Sequence, residues 1–198
     1  MPHTLLVNSV VRLGVLATLV AICDPASSVA APSSVSDAKS AVSCLDVLAA
    51  LKPRLAVLTS GASLVSNAVP RLPPLSRRYF WKTGWQGPEP RPELVAAWYR
   101  KIPSSAAACP GFQTILSPGV DVVDEVADAA RIKAALLPTL TTSTVVAVSA
   151  PAINRAGARA IVLVEWRVNG MGGGDELILL GKQAGSWREV SRRQVSNS

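Results

Sequence analysis

Two apolar runs separated by a glycine-rich link limit what this chain can become. Arg159-Ala-Ile-Val-Leu-Val-Glu-Trp-Arg-Val168 and Glu176-Leu-Ile-Leu-Leu-Gly-Lys182 have strand composition, and Asn169-Gly-Met-Gly-Gly-Gly-Asp175 joins them. The Asn-Gly step provides the positive-φ conformations of a chain reversal, and the glycines that follow bend freely. Along the first run Ala160, Val162, Val164, Trp166 and Val168 fall on one face. Ile161 and Leu163 share the other with Glu165 and Arg167, so that face is apolar at one end and charged at the other. Thr144 to Ser149 predicts a preceding strand, with a turn at Asn154 to Gly157. Gln183 to Ser186 predicts a last turn before a strand from Trp187 to Val190. The expectation is an antiparallel β-meander of about four strands at residues 139–198.

Residues 31–138 read as mainly helical, interrupted by a proline-rich aromatic loop at 69–92. Ser36 caps a helix from Asp37, with Ala41, Cys44, Leu45, Leu48 and Leu51 at helical spacing until Pro53. A second helical piece from Arg54 to Val65 carries Leu55, Leu58 and Val65 inward. Pro92 opens a helix from Glu93 to Lys101, whose terminal charges suit the helix dipole. Phe112 to Leu116 predicts a short strand, and Gly119 to Leu137 a long helix. Together these give an α+β fold, a single domain over 31–198 with the N-terminal helices packed on one face of the meander.

The first thirty residues have the form of a secretory signal peptide. Arg12 supplies the positive charge, Leu13 to Cys23 an apolar run of eleven residues, and Ser28-Val-Ala30 the small-x-small cleavage pattern. The run is too short for a transmembrane span. Cys23 as a lipidated residue would need a smaller neighbour than Ile22. The reading therefore places the protein in the periplasm or outside the cell, with no transmembrane segment in the mature chain. Cleavage leaves Cys44 and Cys109, an even count in an exported chain, which points to a disulfide; two separate buried thiols are the alternative.

Net charge +7 survives cleavage, because Arg12 and Asp24 leave together. Such a chain is attracted to an anionic envelope component, a lipid head group or a polymer, in preference to nucleic acid. Six of the nine aromatic residues lie between Tyr79 and Tyr99. Within them, Arg77, Arg78, Tyr79, Trp81, Lys82 and Trp85 interleave cations and rings, the pattern of a surface for sugars, lipid head groups or stacked bases. The same aromatics also suit anchoring an irregular loop to the core.

The run Val148-Ser149, Asn154, Ala160 to Val164, Gly173-Gly174, Leu180-Gly-Lys182 and Gly185-Ser-Trp-Arg-Glu-Val190 resembles the C-terminal part of exported bacterial proteins of uncharacterised function. The resemblance covers residues 144–191 and implies a shared β-meander and export. It implies no activity. Many of those proteins carry cysteines in the glycine-rich turn, where this chain has Met171 and glycines, so no cysteine role transfers.

Catalysis is restricted by a missing residue type. The sole histidine, His3, lies in the leader, so the mature chain has no imidazole for a Ser-His-Asp or Cys-His site or for histidine-ligated zinc. Ser36-x-x-Lys39 and Lys82-Thr-Gly84 match two elements of penicillin-recognising enzymes, but the third is missing and their spacing is too short. Asp121, Asp124, Glu125 and Asp128 would form an acidic stripe along the predicted helix, and Asp175-Glu176 a second acidic pair. No metal-loop pattern surrounds either group. The sequence thus assigns no catalytic residue, metal or cofactor. It favours a non-catalytic binding or structural module over a hydrolase or transferase working through these carboxylates.

Overall fold

A computed structural model describes residues 44–71, 81–101, 104–138, 141–170 and 172–197. The leader at 1–30, the start of the first helix, Ser36, Lys39, Arg77, Arg78 and Tyr79 lie outside those residues. The centre of the molecule is a sheet of seven strands: β1 (Ala62–Ser66), β2 (Asp121–Val123), β3 (Ser143–Val148), β4 (Ala152–Ile153), β5 (Arg159–Val168), β6 (Gly172–Gln183) and β7 (Ser186–Asn197). Their order is β2-β1-β3-β5-β6-β7, with β4 also paired to β5. β1 runs parallel to both β2 and β3, whereas every later pairing is antiparallel. Helices α1 (44–49), α2 (Lys52–Leu58), α3 (Pro92–Lys101) and α4 (Ala129–Ala135) are short.

The sheet overturns the expected α+β arrangement of N-terminal helices on one face of a four-stranded antiparallel meander. It is mixed, it draws two strands from the region read as helical, and it carries helices on both faces. Ala62–Ser66 was expected to end a helix and Asp121–Val123 to begin one, and both are strands. Two or three apolar residues in so short a run fit a strand as well as a helical stripe, and partners distant in sequence decide between them. Phe112–Ile115 is a 3₁₀ turn rather than a strand. The final strand runs on from Val190 to Asn197, through residues read as a polar tail.

Alternation along β5 sorts the core. Ala160, Val162 and Val164 pack with Val65, Val146, Ile178 and Leu180 against Val47, Leu48, Leu51 and Leu55 of α1 and α2. Ile161 and Leu163 point the other way, with Leu177 and Leu179, onto Leu94 and Trp98 of α3 and onto Trp81. Farther along that second face, Leu64, Val123 and Val145 meet Ile132 of α4. The helical side of the first face is closed by Cys44 and Cys109, which stand at disulfide distance, Cα atoms 6.2 Å apart. No helix among the described residues is long and apolar enough to cross a membrane.

The three glycines are not the turn. Gly172, Gly173 and Gly174 belong to β6 and pair with Val168, Arg167 and Trp166. A Cβ on Gly173 would sit 2.2 Å from the Trp166 carbonyl oxygen, and one on Gly174 2.7 Å from the Trp166 ring. Gly173 and Gly174 are therefore required by the close approach of Trp166 and its strand, and Gly172 by its φ of +84°. The reversal itself belongs to Asn169 and Gly170, the glycine at φ +64°, and it is anchored by Asn169. Its Oδ1 accepts from Ser143 N at 2.9 Å and its Nδ2 donates to Thr141 O at 2.9 Å, tying the hairpin to the entry of β3.

One ion pair joins the first face to its helices. Glu176, buried in β6, accepts from Arg54 of α2 through both oxygens, at 2.6 and 2.9 Å. The same guanidinium lies 5.7 Å from the Trp166 ring centroid. Removing Arg54 strands a buried carboxylate. Arg54→Ala is expected to lower the unfolding free energy by roughly 2–3 kcal/mol, and adding Glu176→Gln to recover part of it, in denaturant titrations. The Cys44–Cys109 link closes a 65-residue separation, so its reduction is expected to cost about 4 kcal/mol and to lower the denaturant midpoint.

Candidate functional site

The aromatic segment turns its rings inward. Trp81 is buried and donates from Nε1 to the Tyr99 hydroxyl at 3.0 Å. Its ring stacks on Trp85 at 6.3 Å and meets Trp98 and Tyr99 edge-on at 6.5 and 6.0 Å. Trp98 and Tyr99 come from α3, whose helical spacing presents Leu94 and Trp98 to the sheet. Trp85 is half-buried, and Lys82 stands exposed at the edge of the group. Of the expected contact residues within the described chain, the two tryptophans thus anchor the loop and Lys82 faces solvent. Lys82-Thr-Gly84 forms no catalytic element: Gly84, at φ +78°, closes a turn against the Arg193 side chain.

Beyond Trp85 the chain is fastened to the edge of the sheet. Gln86 N donates to Arg192 O of β7 at 2.7 Å. Gly87 follows at φ +130°, where a Cβ would lie 2.9 Å from Val190 O, so no other residue fits without displacing β7. From there Pro88 to Leu94 forms one wall of a cleft of about 380 Å³. The β4–β5 turn forms the opposite wall, and Leu179 lies between them. Asn154 shapes that turn, its Oδ1 accepting from Ala158 N and Arg159 N, each at 3.0 Å.

The carboxylates expected on one helix face lie instead on β2 and in the turns after it, engaged with separate partners. Asp121 on β2 pairs with Arg131 of α4. Asp124 accepts from Asn67 Nδ2 at 2.7 Å and from Val126 N and Ala127 N at 2.9 and 2.7 Å. Glu125 accepts from Ser66 Oγ at 2.6 Å and from Arg167 at 3.1 and 3.3 Å. Asp128 accepts from Asp124 N at 2.9 Å. Asp175 and Glu176 point to opposite faces, Asp175 accepting from Ser196 and Glu176 from Arg54. No group of three or more His, Cys, Asp or Glu side chains among the described residues is placed to hold a metal ion.

The sequence reading missed the polar seam formed on the second face by Ser66, Asn67, Glu125 and Arg167. Its signal was present in Glu165 and Arg167, which interrupt an apolar face of β5. Their partners, Arg71 and Glu125, come from the segments that follow β1 and β2, two strands that the sequence assigns to helix. Glu165 completes the seam by accepting from Arg71 N at 2.8 Å.

Hydrogen bonds hold the Asp124 carboxyl below its ordinary value of 3.8, Ala127 N–H first, then the Asn67 amide, then Val126 N–H, with burial opposing them. A folded value below the unfolded one stabilises the protein fully above the unfolded value, and that contribution disappears as pH falls through the folded value. Between neutral pH and roughly pH 2, Asp124→Asn is therefore expected to lose less stability than the parent chain, measured as denaturant midpoint against pH.

Comparison of the chain with protein-family models, with curated proteins and with solved structures gives no match.

Proposed function

We propose that this chain is an exported cell-envelope protein with a binding or structural role, contacting an anionic partner through the basic aromatic segment at 77–85. The observation that carries this reading is the packing of Trp81 against Trp85, Trp98 and Tyr99, with Lys82 left exposed beside them. The packed rings fix the backbone that carries Lys82, so little backbone freedom is lost when this cation meets an anion. The excess of seven positive charges adds long-range attraction to the same class of partner. A periplasmic or extracellular location is supported by the leader-like first thirty residues, by two cysteines at disulfide distance, and by the resemblance of residues 144–191 to exported bacterial proteins. A carboxylate-dependent hydrolase or transferase would draw on Asp121 to Asp128 or on Asp175 and Glu176, and these carboxylates are engaged in turns, ion pairs and hydrogen bonds instead of converging in a cleft.

Co-sedimentation of the full chain, disulfide intact, with phosphatidylglycerol vesicles tests the proposal. Each cation near an anionic surface contributes about 1 kcal/mol, so Arg77→Ala, Arg78→Ala and Lys82→Ala together are expected to reduce retention at least about tenfold. Retention that is unchanged by the triple substitution removes the segment as the contact.

A further inference from the structure

The cleft beside α3 has a charge arrangement that the fold does not use. Arg91 and Glu93 stand on one wall with Glu89, and Arg159 stands on the other. All four are exposed, and none forms an ion pair or side-chain hydrogen bond among the described residues. Arg188, also exposed, lies outside the cleft lining on the strand beyond Gly181. In the sheet register Arg159 pairs with Gly181, and Gly181 pairs with Arg188, so both arginines rise from the same face on either side of a residue with no side chain. The Arg159 guanidinium leans into that gap. A Cβ on Gly181 would lie 2.7 Å from its Nη1 and 3.0 Å from Val190 Cγ1. Strands two apart are separated by roughly 10 Å, within the combined reach of two arginine side chains. The Arg159 guanidinium thus occupies the space above Gly181, and Arg188 follows on the neighbouring strand of the same sheet face.

We infer that this cleft binds a small zwitterion carrying a phosphate group and a protonated amine. Arg159 and Arg91, on opposite walls of the cleft, are placed for the phosphate. A phosphate monoester offers three oxygens to more than one planar guanidinium, whereas a carboxylate offers two. Glu89 and Glu93 provide the counter-charge for the amine and disfavour a long polyanion, which would bring repeated negative charge against them. The cleft volume of about 380 Å³ suits a group of this size. Such chemistry occurs on free aminoalkyl phosphates and on zwitterionic lipid head groups. The inference does not depend on the Lys82 surface, and neither test involves the other's residues.

Isothermal titration of the full chain, disulfide intact, with phosphoethanolamine tests it, with inorganic phosphate and ethanolamine as single-charge controls. Saturable binding of phosphoethanolamine at least about tenfold tighter than either control is expected. Arg159→Ala and Glu93→Gln are each expected to weaken it about tenfold, with circular dichroism unchanged. Gly181→Ala retains every charge but displaces the Arg159 guanidinium, and is expected to weaken binding as well. Phosphate binding as tight as phosphoethanolamine, no phosphoethanolamine binding at all, or indifference to Arg159→Ala and Glu93→Gln in folded variants would each overturn the inference. Phosphatidylethanolamine vesicles separate the two sources: co-sedimentation abolished by Arg159→Ala assigns the lipid head group, and soluble binding without co-sedimentation assigns the free phosphate ester.

Discussion

A ladder of ten residue pairs between β5 and β6 is apolar on both faces over most of its length, and the rest of the chain is arranged to cover it. Ile161, Leu163, Leu177 and Leu179 cannot be left in water while Ala160, Val162, Ile178 and Leu180 are buried on the opposite side. One layer of helices is therefore insufficient. The first face takes α1 and α2, fastened by the cysteine pair and by Arg54 on Glu176. The second takes α3 with its tryptophans, and farther along α4. The position of every candidate functional group follows from this double covering. The aromatic loop lies where it does because the second face needs a cover, and the cleft forms where the loop and α3 fall short of the β4–β5 turn.

How legible this was from the sequence varied with the reach of the interaction. The strands at 159–168 and 176–182 were readable because their alternation is local and long, and the hairpin turn of Ala184 and Gly185, both at positive φ, fell inside the predicted reversal. Helix α3 was readable from its proline and terminal charges. β1 and β2 were not, because strands of five and three residues do not define a period and their partners lie scores of residues away. With them went the expected acidic helix face, since Asp121 through Asp128 occupy a strand and turns. The glycines at 172–174 were correctly read as exceptional, and Gly172, at φ +84°, has the backbone cause assigned to it. For Gly173 and Gly174 the constraint is the Trp166 ring and carbonyl, which no local pattern reveals.

The candidate contact segment illustrates the same division. Composition located the aromatics, yet it carries no information about which way a ring points. Trp81 closes a buried cluster, so the stickiest side chain of the segment is consumed in holding the loop, and Lys82 takes its exposure from that anchorage. For the charged residues, sequence gave proximity along the chain but not partnership. Arg54 and Glu176 are 122 positions apart, whereas Glu89, Arg91 and Glu93 lie close together in the chain and form no ion pair among the described residues.

β7 forms one border of the sheet, and its pairing with β6 is interrupted twice, between Asp175 and Glu176 and between Leu179 and Leu180. Each interruption bends the outer row of backbone amides and carbonyls away from a straight line, and Gln86 already occupies one of its carbonyls. The opposite border, β2, offers only three residues. A second copy of the chain arriving strand-first thus finds no long, regular rim to extend, a safeguard against fibril-like stacking in a sheet this rich in valine and leucine.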